Sequence, residues 1–598
     1  MQLSDIDSAN NLVELFLKRA DTRGDAPFLG AKLGGEWRTQ SWREVAGQVC
    51  VLAENLRALG LVDGDRVMLV SENRPEWCIA DLAVMAAGCV TVPAYVTNTE
   101  RDHLHILDNS GARAVIVSTE KLSAPLLTAM MRSGVAEHVI AIDGVRQFQS
   151  GQIACHKWAA LIAGDAGPAR RAVEARIGAI GRADTACIIY TSGTGGSPRG
   201  VLQHHGAILH NAAGAADILE QDFGLGDDER FLSFLPLSHA YEHTGGQFLP
   251  IGCGAQIYYS EGLEKLASNI EETHPTVMVV VPRLFEVLRT RIMKQVEKQG
   301  KVPNWLMTRA LDIVGQPRKR LRDRPVDLLI ERLLRPKIRA RFGGRLKAMV
   351  SGGAPLNPEV GKFFEAMGLT VLQGYGQTEA GPVISCNRPA AGIAMHTVGP
   401  PLKGVEVKIA EDGEILVRGE LVMRGYWQNK AETDKALKDG WLHTGDIGHV
   451  DDKGRIVITD RKKDMIVNDK GDNVAPQKVE GMLTLQPEIA QAMVSGDKRP
   501  YLVGLIVPDA EWALEWAKVE GEAFDIKALQ DLPAFRGAIR AALDRTNQEL
   551  SVVEKVRQFA FTDEPYSTDN EEMTPSLKIR RHKIRERYGA RMDALYKG

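Results

Sequence analysis

Several features that would narrow the function quickly are missing from this chain of 598 residues. No two of its seven cysteines stand in a C-x-x-C pair, and the number is odd. That argues against a disulfide framework or a zinc site and points to a reducing, cytoplasmic setting. No apolar run reaches the ~18 residues that crossing a bilayer requires. The N-terminus, MQLSDIDSANNLVELFLKRA, puts acids ahead of its apolar stretch and has no basic leader region, so it reads as an amphipathic helix rather than a signal peptide. A net charge of −3 selects no partner by bulk electrostatics. There is no internal repeat, no low-complexity linker and no recognisable nucleic-acid-binding motif, so nucleic acid is not expected as a partner. What remains, 44 % hydrophobic and 25 % charged, is ordinary globular composition. The length exceeds what one core organises, so two or more domains are expected.

One loop lacks the Walker spacing G-x-x-x-x-G-K-[ST] and its lysine, yet is built for anions. It is YTSGTGGSPRGV, Tyr190 to Val201. Thr191, Ser192, Thr194 and Ser197 supply hydroxyl donors, and Arg199 a cationic fork suited to phosphate oxygens. Gly193, Gly195 and Gly196 let backbone N–H groups approach a ligand closely. The preceding ACIIY reads as a buried strand and the following VLQHHGAILHNAAGA as the start of a helix. Strand, glycine loop and helix together form the setting of an anion site, against the plainer reading of a surface turn.

From about residue 60 to 420 apolar strands alternate with helical segments. RVMLVS (66–71), CVTVPAY, ARAVIVST, TVMVVV (276–281), LKAMVSGG (346–353) and TVLQGYG (370–376) read as strands, and PEWCIADLAVMAAG as a helix. The pattern predicts an α/β fold of helix-flanked, mainly parallel sheets, with ligands beyond the carboxyl ends of the strands. After residue 410 the texture shifts to a small β unit, GEILVRGELVMRGYW and HTGDIGHVDDKGRIVITD, with a barrel-like character. The polar segment DRKKD (460–464) marks a boundary. The expected division is an N-terminal domain over 1–459, a hinge over 460–463 and a small, mobile α+β domain over 464–598. Between Lys301 and Lys347 there are 14 Lys/Arg against four Asp/Glu, with arginines interleaved with Leu and Ile at helical spacing. This is either a solvated helix face or a surface attracted to an anionic membrane or polyanionic cosubstrate.

The loop does not stand alone. LPLSHAYEHTGG (235–246), VPRLFEVL (281–288), SGGAPL (351–356), QGYGQTEAG (373–381), WLHTGDIG (441–448), DRKKDMIVNDKGDNVAPQKVE (460–480) and TPSLKIRRHKI (574–584) follow it in order. Together they resemble the adenylate-forming acyl-CoA synthetases, most closely the long-chain fatty-acid–CoA ligases, over nearly the whole chain. The resemblance implies two half-reactions. A carboxylate and ATP with Mg2+ give acyl-adenylate and pyrophosphate, and the CoA thiol then displaces AMP. A ligase that loads a carrier protein, or one for another hydrophobic acid, are the alternatives; a homodimer is left open.

The same resemblance implies roles for individual residues. Thr191–Gly200 lies over the β- and γ-phosphates, although Gly195 stands where the family usually has threonine and Arg199 where it has lysine. Gly352, Gly353, Ala354 and Pro355 form the flat loop against adenine. Within Gln373, Gly374, Tyr375 and Gly376, Tyr375 stacks on the base. Thr378 serves the α-phosphate and Glu379 holds Mg2+, for which a single carboxylate beside substrate phosphates suffices. Asp446 and Arg461 reach the ribose. His239 orients the carboxylate, which is already ionised at neutral pH and needs no base. Tyr241 and His243 are the candidates for an aromatic gate to the acyl site. Lys578 bridges carboxylate and α-phosphate in the adenylation transition state. Lys463 is the hinge, and Gly471 leaves room for the pantetheine arm of CoA.

Overall fold

A computed structural model describes residues 4–145, 153–191, 198–316, 320–574 and 578–597. It divides into two compact units. The first comprises the chain up to Lys408 with Leu416–Thr444 and Val450–Ile456; the second comprises Ile409–Ile415, Gly445–His449 and the chain from Val457 onward.

The first unit contains two large sheets. One has seven strands in the order Ala154–Lys157, His138–Ala141, Ala114–Val117, Arg66–Val70, Val90–Ala94, Thr185–Thr191 and Arg199–His204. Its members run parallel except the last, which is antiparallel to Thr185–Thr191. The alternation of side chains explains the parallel arrangement. Val67, Leu69, Ala114 and Ile116 enter one apolar core, while Met68, Val70, Val115 and Val117 enter another. A sheet buried on both faces reads as a continuous apolar run, and its crossovers are the helices that cover it. One of these, Glu100–Ser110, starts on a capping box in which Thr99 and Asp102 satisfy each other's backbone N–H.

The second sheet of this unit has eight strands in the order Val383–Cys386, Val371–Gly376, Ala348–Ser351, Val277–Val280, Arg230–Ser233, Gln256–Tyr259, Pro27–Leu33 and Glu36–Ser41. The inner six are parallel and the two edges antiparallel. Its far edge is pinned by Phe28, which stacks on Trp42 with ring centroids 3.7 Å apart. A five-stranded sheet spans residues 406–461, and the division of the chain runs through its strands.

The second unit carries a three-stranded sheet, Ile489–Ser495, Leu502–Pro508 and Val556–Phe561, with the first pair antiparallel and the second parallel. Leu502 and Ile506 face one core with Phe535, Ile539 and Phe561, while Val503, Leu505 and Val507 face another with Ile584, Tyr588 and Met592. Helices Pro476–Leu483 and Arg581–Ala594 are tied by an ion pair between Arg581 and Glu480, whose Oε1 also accepts from Val494 N at 2.8 Å. Among the described residues no helix is long and apolar enough to cross a membrane.

The structure corrects one expectation. The donor-rich loop was read as leading into a helix, but Arg199–His204 is a strand that turns back on Thr185–Thr191, and the helix begins only at His205. The cause is close packing: a Cβ at Gly200 would stand 2.7 Å from Ile188 Cγ2, so glycine lets the returning strand lie flat on its neighbour. The loop therefore spans a hairpin and does not feed a helix N-terminus. A smaller difference lies in GEILVRGELVMRGYW. Only Glu414–Arg418 is a strand there, and the remainder turns away to run beside 199–204.

Candidate active site

Three parallel strands of the eight-stranded sheet deliver residues to one edge. Beyond Arg230–Ser233 comes the loop to His239; beyond Ala348–Ser351 comes Gly352–Pro355; beyond Val371–Gly376 come Thr378 and Glu379. Ser351 and Gln373 are register partners on adjacent strands. Ser351 Oγ and Gln373 Oε1 are both buried and without a hydrogen-bond partner. Two orphaned polar atoms side by side at a strand terminus fit a ligand that supplies donors and acceptors, such as a nucleotide base.

Close packing sets the surrounding loops. Tyr241 Oη donates to the Val350 carbonyl (2.9 Å), and its ring covers Gly352, where a Cβ would meet Tyr241 Cζ at 2.7 Å. Gly353, Ala354 and Pro355 are exposed. A Cβ at Gly376 would come within 1.8 Å of the Pro382 carbonyl oxygen, so only glycine fits where the chain doubles back. Tyr375 is buried beside it. Asn73 fixes the loop before His239: its Nδ2 donates to Ser233 Oγ (3.0 Å) and to the Leu235 carbonyl (2.6 Å), and its Oδ1 accepts from Leu237 N. His239 is half-buried, and its Nδ1 accepts from Tyr241 N (3.1 Å), which fixes the ring at the start of the following helical turn.

The two gate candidates part company here. His243 is fully buried, opens a widened helical turn over His243–Phe248, and has Nε2 2.8 Å from Asp81 Oδ2. Gln247 Nε2 donates to the same oxygen at 2.7 Å. His243 is thus held in a polar knot, and Tyr241 is the one beside the Gly352–Pro355 loop. Between them Glu242 is buried, accepts from Ser233 Oγ (2.6 Å), and is pushed up to about 8 by desolvation, so it is protonated at neutral pH. Gly246 makes this possible, because a Cβ there would meet the Glu242 carboxylate at 2.4 Å.

Glu379 is half-buried. Tyr426 Oη donates to its Oε1 at 2.8 Å, and the Arg199 guanidinium lies 4.7 Å from the Tyr426 ring centroid. Arg199 also pairs with Glu432. This relay joins the hairpin loop to Glu379. Thr378 is buried, and Gln203 Nε2 donates to its carbonyl at 2.8 Å. Asn73, Gln203, Tyr426 and Glu432 were not singled out from sequence, since each acts through partners far along the chain. The one available signal was the RGYW segment, an aromatic pair directly after a glycine. Of the loop expected to hold phosphates, Thr191 ends its strand and Arg199 begins the next. Ser192, Gly193, Thr194, Gly195 and Gly196 lie outside the described residues. Among the described residues no group of three or more His, Cys, Asp or Glu could hold a metal ion; a lone half-buried carboxylate such as Glu379 fits Mg2+ only beside substrate phosphate oxygens.

The other candidates belong to the second unit. Asp446 is buried and pairs with Arg461 at 3.4 Å. Next to it, Lys462 reaches Asp412 (2.5 Å) and Glu414 (3.2 Å), which hold its ammonium pKa up. Asp460 is pushed up to about 6 by burial. Lys463 is exposed in the turn after Arg461. Gly471 sits in the tip of a small hairpin between Ile466–Val467 and Asn473–Val474, at φ +87°. Lys578 stands where two segments pair: its N donates to Thr574 Oγ1 (3.1 Å), and its carbonyl accepts from Thr574 N (2.8 Å).

A parallel-sheet edge with two orphaned polar atoms, a carboxylate braced by a tyrosine and a hairpin strand carrying Arg199 fit an adenylate-forming enzyme, and the chain belongs to the AMP-binding enzyme family. The family's main model matches residues 16–427 and its C-terminal-domain model residues 463–598. Among curated proteins the chain is 34 % identical over 583 residues to the long-chain-fatty-acid–CoA ligase FadD15 of Mycobacterium tuberculosis, covering 94 % of this chain and 93 % of the relative. It is 29 % identical to long-chain-fatty-acid–CoA ligase 1 of Cavia porcellus, covering 99 % and 87 %. Of solved structures, the adenylation domain of a carboxylate reductase from Mycobacterium chelonae superposes with a TM-score of 0.77 at 21 % identity, covering 100 % and 93 %. O-succinylbenzoate CoA synthetase from Bacillus subtilis, solved with ATP and magnesium, gives 0.67 at 20 %, covering 96 % and 99 %. These two share the fold with the chain.

Proposed function

We propose that this protein joins a long-chain fatty acid to CoA in an ATP-dependent, AMP-forming reaction through an acyl-adenylate. One observation carries the reading: His239, the Ser351–Gly352 turn and the Gln373–Glu379 segment come to the same edge of one parallel sheet, with Tyr426 linking Glu379 to Arg199. The names of the curated relatives, matched almost end to end, support the acid and the thiol.

The chemistry asks a carboxylate to attack a phosphate, like charge on like charge, so the protein must orient one and neutralise the other. In this reading His239 orients the carboxylate. Thr191, Arg199 and the hydroxyls between them neutralise the outgoing β- and γ-phosphates. Glu379 holds Mg2+, which supplies positive charge to the phosphate oxygens. Thr378 donates to the α-phosphate, Gly352–Pro355 and Tyr375 bracket the base, and Asp446 with Arg461 binds the ribose. Lys578 adds positive charge where the transition state gathers negative charge. For the second half-reaction Lys463 acts as hinge, and the Gly471 turn borders the path of the CoA arm. The domain assignment of 1–459 and 464–598 about a 460–463 hinge belongs to the same proposal. Seven free thiols support a reducing, cytoplasmic working place.

Incubating the enzyme with oleate, Mg-ATP and CoA should yield AMP, pyrophosphate and oleoyl-CoA in equal amounts. ADP in place of AMP would overturn the reading. Turnover only with a phosphopantetheinyl carrier would replace CoA as acceptor.

A further inference from the structure

The helices Lys301–Val314 and Arg324–Leu333 pack against each other within the first unit and lie outside the machinery described above. Arg324–Leu333 carries Val326, Leu328, Leu329, Ile330 and Leu333, yet buries only Ile330 fully. Leu328, Leu329 and Leu333 stand 58, 41 and 48 % exposed. On the companion helix Leu306, Met307, Ala310 and Ile313 pack inward, while Val302 and Trp305 stay out in solvent. A single exposed leucine is unremarkable. Three on one ten-residue helix, beside a helix that exposes a valine and a tryptophan, form a patch that asks for a cover.

The charges name the cover. The four acids of this region all turn to arginines within it: Asp312 and Asp323 pair with Arg309, Asp327 with Arg335, and Glu331 with Arg335 and Arg339. Their charge is therefore spent internally. Arg322, Arg324, Arg332 and Lys337 are exposed and form no ion pair among the described residues. Exposed leucines ringed by uncompensated cations match the interface of an anionic bilayer, where apolar side chains enter the acyl boundary and guanidinium groups meet lipid phosphates. A tryptophan at the rim suits the headgroup level.

We infer that the Lys301–Val314 and Arg324–Leu333 helices form a docking face for a membrane containing anionic phospholipid. Docking there would hold the enzyme at the surface in which long-chain amphiphiles partition.

The test is sedimentation of the full chain with vesicles of phosphatidylcholine alone or mixed with phosphatidylglycerol. Binding should require phosphatidylglycerol and weaken as salt rises, since at 1 M salt the screening length falls to about 3 Å. Each cation near such a surface is worth about fivefold in partition, so Arg322→Gln/Arg324→Gln/Arg332→Gln should bind roughly 10²-fold more weakly. Leu328→Ser/Leu329→Ser/Leu333→Ser should lose at least about tenfold. Both variants alter exposed side chains, so their melting temperatures should match the wild type. Trp305→Phe should remove part of any vesicle-induced blue shift in tryptophan emission. The inference is overturned if the wild type ignores phosphatidylglycerol vesicles or if both triple variants bind them undiminished. It is equally overturned if the leucines instead support a concentration-dependent dimer that the serine variant abolishes.

Discussion

Gly352 and Gly376 in the first unit and Gly445 and Gly471 in the second are glycines for opposite reasons. The first two have ordinary backbone angles but no room, since a Cβ would strike the Tyr241 ring or the Pro382 carbonyl. The second two have room, with nothing within 4 Å of a Cβ, but take φ of +72° and +87°. The edge of the eight-stranded sheet is thus fixed by contact, side chain against backbone. The turns around Asp446 and beyond the polar DRKKD segment are fixed by local conformation. A contact-fixed region fails steeply when an atom is added, because packed interiors have no slack. A turn-fixed region fails by the modest cost of a left-handed residue. The first suits holding reactants in one geometry, the second suits loops that present a group at one stage and withdraw it at another.

The comparison can be broken in four places. The largest effect belongs to Lys578. Lys578→Ala should slow adenylation roughly 10²–10³-fold, the cost of one lost donor to developing charge. It should spare thioester formation from supplied acyl-adenylate. Equal loss in both half-reactions would remove the assigned role.

Glu242→Gln probes the packed region by stability. The folded carboxyl is pushed up to about 8 from an ordinary 4.5. Between these values the unfolded chain gives up a proton that the folded chain keeps, so stability falls as pH rises through the window. The variant removes this loss and should gain on the wild type progressively from pH 5 to pH 8. The gain at pH 7 should be on the order of 3 kcal/mol, from about 2.5 pH units at 1.36 kcal/mol each. Thermal melts across that range decide it, and parallel pH profiles would refute a buried neutral acid.

Gly376→Ala should cost about 1–3 kcal/mol through overpacking and depress pyrophosphate release, because the backbone it displaces carries Thr378 and Glu379. Gly471→Ala sharpens the contrast at the small end, with about 1 kcal/mol of local strain. It should leave adenylation intact and confine any change to CoA transfer. If the two glycine variants gave the same melting shift and the same kinetic defect, the distinction between contact-fixed and turn-fixed regions would be lost.

Most strands of the first unit were legible because they are buried on both faces, which leaves runs such as Met68–Val70 with no polar break. Arg199–His204 was missed because Gly200, Gln203 and His204 dilute its apolar signal, and because its pairing is set by the strand before the loop. Local motifs marked the candidate site where the chain itself supplies the geometry, as in Ser351–Pro355 and Gln373–Glu379. They could not show Tyr426 bracing Glu379 across 47 residues, or Asn73 pinning the His239 loop from more than 160 away. Likewise the Arg/Leu interleaving of 301–347 was visible, but which leucines face outward depends on which side of the helix its neighbours occupy.

Six of the seven thiols are buried, and Cys155 alone is exposed, on the outermost strand of the seven-stranded sheet. The unaltered chain is therefore already a single-label protein. A maleimide dye should couple first at that strand, and later uptake by Cys50, Cys78, Cys89, Cys187 and Cys253 would time local opening of the core that holds Val67 and Leu69.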